Sequence, residues 1–99
     1  MTFKLRRGFH DEIIDEIRKI IEESCKMITE CPLSLSKLRV LCKINIFGDD
    51  DLLGIIFARY IGLKKYIVVF YEMSENIIVK SGEIKEEDYD RIITLLSMI

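Results

Sequence analysis

The sequence predicts an α+β fold: a small, mainly antiparallel sheet with strands near 38–47, 65–73 and 77–80, and two or three amphipathic helices near 11–29, 50–61 and 85–98 packed on it. Three observations predict it. The run from Lys65 to Met73 is almost continuously β-branched or aromatic, as in a strand covered on both faces. Ile77-Ile78-Val79 follows across a short polar turn and offers a hairpin partner. Two further stretches place isoleucines at helical spacing with charges on the opposite side.

In chain order, Thr2 to Arg7 alternate weakly, as a short edge strand or a loose arm, and Gly8 ends them. From Asp11 to about Ile28, the residues Ile14, Ile17, Ile21, Cys25 and Ile28 recur at three- and four-residue steps. Opposite charges one turn apart, such as Asp15 with Lys19 and Glu22 with Lys26, suit the solvent side of that helix. Pro32 prevents it from continuing. Leu38, Val40, Cys42, Ile44 and Ile46 then alternate with Lys37, Arg39, Lys43 and Asn45, interrupted by Leu41. That is a half-buried strand with one basic face.

Asp49-Asp50-Asp51 precede Leu52, Leu53, Ile56, Phe57, Tyr60 and Ile61, which fit a capped helix ended by Gly62. Gly54 counts against it, and the rival reading makes Gly54–Tyr60 a strand paired with the 65–73 run. Tyr89, Ile92, Ile93, Leu96 and Ile99 share a face of the last helix, with Glu86, Glu87 and Asp88 in its first turn.

The 99 residues are expected to form one domain, 1–99, able to bury roughly two-thirds of the surface of its unfolded chain. A net charge of −2 favours neither nucleic acid nor its absence, and no apolar run reaches membrane-spanning length. With no signal-like segment at Met1–His10, a soluble, cytoplasmic protein is expected. Cys25, Cys31 and Cys42 lack zinc-ligand spacing and read as buried small hydrophobes. The aspartate triplet reads as helix capping rather than a Mg²⁺ site, and His10, the only histidine, as a capping or exposed residue. No triad, glycine-rich phosphate loop or cofactor motif is present, so the expected function is non-enzymatic, through protein partners or self-association. The alternative is nucleic-acid binding through Lys4, Arg6 and Arg7, interleaved with Phe3 and Phe9, together with Lys37, Arg39 and Lys43 on the strand face.

Two family resemblances accompany these readings. The short Ile/Lys/Glu/Tyr-rich chain, with runs such as Ile13-Ile14-Asp15-Glu16-Ile17-Arg18-Lys19-Ile20-Ile21, resembles the small orphan proteins of filamentous viruses of hyperthermophilic, acidophilic archaea. That resemblance implies a thermostable virion component, DNA-binding factor or host-interaction protein in the host cytoplasm, without an active site. Leu53–Tyr60, Tyr66–Val69 and Arg91–Leu96 are similar to the strands leading into the metal helix of zincin-type metallopeptidases. There a His-Glu-x-x-His motif follows, whereas here Leu96 is followed by Ser97-Met98-Ile99. This second resemblance therefore implies a truncated, inactive relative with no metal ligand.

Overall fold

In the computed structural model, which describes residues 1–24, 26–28, 37–48, 52–60, 66–75 and 77–99, strands outweigh helices. The elements are β1 (Thr2–Arg6), α1 (Asp11–Ser24), β2 (Lys26–Ile28), β3 (Leu38–Phe47), β4 (Leu52–Tyr60), β5 (Tyr66–Glu72), β6 (Ile77–Ile84) and α2 (Glu86–Leu96). They form one six-stranded sheet in the order β1-β3-β4-β5-β6-β2. β3 to β6 are a meander of antiparallel neighbours, and β2 pairs antiparallel to β6. β1 lies parallel to β3, which requires a long crossover between them. Helix α1 supplies part of it, leaving edge strand β1 and leading into β2 at the opposite edge.

The expected fold class is corrected here. The sheet is mixed, because of the β1–β3 parallel pair, and two helices pack on it among the described residues. The segment expected as a helix over 50–61 is strand β4, paired on both sides. Its apolar run, Leu52-Leu53-Gly54-Ile55-Ile56-Phe57-Ala58, satisfies a helical stripe and a doubly covered strand equally well by spacing alone. Long-range pairing decides in favour of the strand: Ile55 and Phe57 are fully buried beneath the helices, while Ala58 is buried on the other face. The first helix stops at Ser24 rather than 29, and Lys26–Ile28 turns into strand β2, covering Ser81–Glu83 of β6. β6 itself runs on to Ile84, beyond the expected residue 80.

The core lies between the helices and one sheet face. Ile14, Ile17, Ile20 and Ile21 of α1 and Ile92 and Leu96 of α2 meet Leu5, Cys42, Ile44, Ile46, Ile55, Phe57, Val68 and Ile84. The opposite face is also apolar at its centre, where Ala58, Ile67 and Val69 are buried with Ser81. Burial on both faces is why β5 reads as an unbroken apolar run. Entry into α1 is built locally. Gly8 adopts φ 89°, a conformation that a side chain disfavours, and its N–H donates to Asp11 Oδ1 at 2.8 Å. The Arg6 N–H donates to His10 Nδ1 at 3.0 Å, so the single histidine ties the end of β1 to the helix start.

A bulge in β3 decides on which face its basic residues lie. The β3–β4 register slips between Val40 and Cys42, with Leu41 as the extra residue. Cys42 pairs with Phe57 on the helix side, while Val40 pairs with Ala58 on the far side. Arg39, opposite Arg59, is thereby returned to the helix side, and Lys43, opposite Ile56, stays on the far side. The expected single basic face of β3 is divided in two.

Candidate interaction surfaces

The structure redistributes the two expected basic groups, Lys4, Arg6 and Arg7, and Lys37, Arg39 and Lys43. On β1, the buried Leu5 points to the helices, so Lys4 and Arg6 take the far face. Parallel pairing sets Thr2 opposite Lys43 and Arg6 opposite Phe47, so Lys4, Arg6 and Lys43 lie on one face of two adjoining strands. Phe9, 83% exposed, stands edge-on to His10, with ring centroids 4.9 Å apart. Lys4, Arg6, Phe9, His10 and Phe47 line a recess of about 510 Å³ at this edge of the sheet. Lys37 is exposed just before β3, and Arg39 lies on the helix side. Arg7 belongs elsewhere: its N–H donates to the Phe47 carbonyl at 2.8 Å, and its side chain lines a cleft with Arg18, Leu52 and Glu72.

A second surface lies at the edge formed by β6. β2 pairs only with Ser81–Glu83, so among the described residues the outer edge of β6 from Ile77 to Lys80 has no strand beside it. Along this open half, Ile77, Ile78 and Val79 are 52%, 47% and 51% exposed. A bulge between Phe70 and Tyr71 of the pairing leaves Val79 as the extra residue of β6. Edge strands of monomers are usually protected by charge, proline or brevity, and here Lys80 is the one charged residue on four.

The aromatic residues are placed as framework. Tyr66 and Phe70 pack against the core, and the Tyr89 ring stacks on Tyr66 at 4.9 Å and tilts against Phe57 at 5.4 Å. Burial pushes the Tyr89 hydroxyl above its ordinary pKa, helped by Cys42, Tyr66 and Asp90. Burial likewise pushes the Cys42 thiol up, so this free cysteine stays protonated at neutral pH and is a poor nucleophile. Cys25, Cys31 and Asp49-Asp50-Asp51 lie outside the described residues. Among the described residues no group of three His, Cys, Asp or Glu side chains is placed to hold a metal ion. No described helix is long and apolar enough to cross a membrane. Comparison with protein-family models, curated proteins and solved structures finds no match to this chain.

Proposed function

We propose that the protein acts through protein–protein contacts, pairing with a second copy of itself along the open half of β6. The observation that carries this reading is three consecutive half-exposed apolar residues, Ile77-Ile78-Val79, on a strand edge with no described neighbour. Adding a strand there satisfies backbone groups that have no strand partner among the described residues and removes apolar surface from water in one step. The segment is also self-complementary. An antiparallel two-fold register that sets Ile78 against Ile78 of the second copy brings the Glu75 end of each segment alongside the Lys80 end of the other. Both charged side chains are exposed. A self-pairing subunit also fits the resemblance to small viral proteins that serve as virion components.

Sedimentation equilibrium over a concentration series tests this. The wild type is expected to dimerise, and Ile78→Lys to weaken the dimer at least tenfold, about 1.4 kcal/mol, without lowering the melting temperature of the monomer. Lys80→Glu is expected to weaken it as well, and Lys80→Glu with Glu75→Lys to restore it. A wild-type protein that stays monomeric at millimolar concentration would refute the reading.

A second reading has its own observation: the far-face cluster of Lys4, Arg6 and Lys43 beside the exposed ring of Phe9. Cations along a groove with an aromatic platform suit a single nucleic-acid strand. Fluorescence anisotropy with single-stranded DNA is expected to give binding whose log–log salt slope is about −2, for three phosphate contacts. Alanine at Lys4, Arg6 and Lys43 should abolish it, whereas Lys37→Ala and Arg39→Ala should leave it intact. Absence of binding at low salt eliminates this reading.

A further inference from the structure

Two clefts adjoin on the helix side of the sheet, where the ends of β4, β5 and β6 emerge from under α1. One, about 300 Å³, is floored by Leu53, Phe70 and Val79 and rimmed by Arg18, Glu22 and Lys80. The other, about 170 Å³, is lined by Arg7, Arg18, Glu72 and apolar residues, and shares Arg18, Leu53 and Val79 with the first. Each cleft is lined by apolar and charged residues together, and the second adds Arg7 to Arg18.

Arg7 Nε is buried and has no hydrogen-bond partner among the described residues. A buried donor left unpaired costs about 1–3 kcal/mol, more when charged, and such a group in a folded protein calls for an explanation. The nearby carboxylate of Glu72 accepts instead from the Ser74 hydroxyl. Among the described residues, Arg7, Arg18, Lys80, Glu22 and Glu72 are the charged groups that line the two clefts.

We infer that these clefts bind a small monoanion with an apolar body, a carboxylate on a short hydrocarbon chain. The carboxylate accepts from the guanidinium groups of Arg7 and Arg18, charge-assisted bonds that are about twice as strong as neutral ones. The hydrocarbon lies on Leu53, Phe70 and Val79. A volume of about 300 Å³ is at the small end of ordinary ligand sites, which selects a short chain. The site shares Val79 and Lys80 with the β6 edge, but Ile78 pairs with Tyr71 on the far face of the sheet, so Ile78→Lys leaves the lining of the clefts unchanged.

NMR titration of the ¹⁵N-labelled full chain with hexanoate tests the inference, with hexanol and acetate as probes of body and head alone. Hexanoate is expected to give saturable shifts at the amides of Leu53, Phe70 and Val79 and at the Arg7 Nε–H. Hexanol and acetate should each bind at least tenfold more weakly. Arg18→Gln, on the helix surface, and Arg7→Lys, which keeps charge but loses the planar fork, should each weaken hexanoate about tenfold or more while the remaining spectrum stays folded. Hexanol or acetate binding as tightly as hexanoate, unchanged affinity in Arg18→Gln, or no saturable shift would each overturn it.

Discussion

Phe57→Ala is expected to cost about 3–5 kcal/mol, a large part of the roughly 5–15 kcal/mol that stabilises a domain of this size. Phe57 is fully buried on an interior strand, opposite Cys42 on β3 and Val68 on β5, both fully buried themselves. Above it the Tyr89 ring is held between Phe57 and Tyr66, so α2 is seated on the sheet through this ring stack. Removing the phenyl ring leaves a cavity beneath α2 and also loses an aromatic pair worth about 0.5–1.5 kcal/mol beyond its area. Urea unfolding should show a lower midpoint at unchanged slope, and a melting temperature lowered by about 12–40 °C at 4–8 °C per kcal/mol. Phe9→Ala, at a ring that is 83% exposed, should stay within about 0.5 kcal/mol of wild type. A Phe57→Ala cost below about 1 kcal/mol would mean that α2 is not seated on this face.

Elements whose pattern is local were legible in the sequence. The isoleucine stripe of α1 and the acidic first turn of α2 each declare a helix within a few residues, and both helices form. β5 declared itself by β-branched density and β3 by alternation. What escaped depends on partners distant in the chain. β2 is three residues long, and nothing in Lys26-Met27-Ile28 announces that Ser81–Glu83 awaits it. The parallel pairing of β1 with β3 likewise follows from topology rather than from alternation in Thr2–Arg6.

The candidate surfaces were legible to a lesser degree, for the same reason. Lys4, Arg6 and Lys43 do share a face, but only the register of two strands far apart in sequence makes them neighbours. By sequence, Arg39 shares a face with Lys43 in spite of the interruption at Leu41. Leu41, the residue that interrupts the pattern, is the visible trace of the bulge that moves Arg39 across the sheet. The open edge of β6 and the meeting of Arg7 with Arg18 leave no local signature, because each depends on where another element ends.

Gly54→Ala has an effect whose sign separates the two readings of residues 52–60. In a helix, alanine for glycine stabilises by about 1 kcal/mol. In β4, Gly54 lies directly opposite Tyr71, and an added Cβ would sit 2.5 Å from both Cδ1 and Cε1 of its ring. That is closer than carbon atoms approach, so the ring, which now covers the bare glycine backbone, must swing away. The expected cost is about 1–3 kcal/mol, typical of forcing a methyl group into a filled space. Tyr71→Ala removes the obstacle. In that background Gly54→Ala should be neutral or stabilising by up to about 1 kcal/mol, because alanine restricts the unfolded chain more than glycine does. The four proteins form a double-mutant cycle read by urea unfolding, with an expected coupling above about 1 kcal/mol between the two positions. If Gly54→Ala stabilises the protein with Tyr71 in place, the tyrosine does not lie over the glycine and the β4–β5 register is wrong. If it destabilises only when Tyr71 is present, a contact between residues seventeen apart has been measured, and that contact requires the strand.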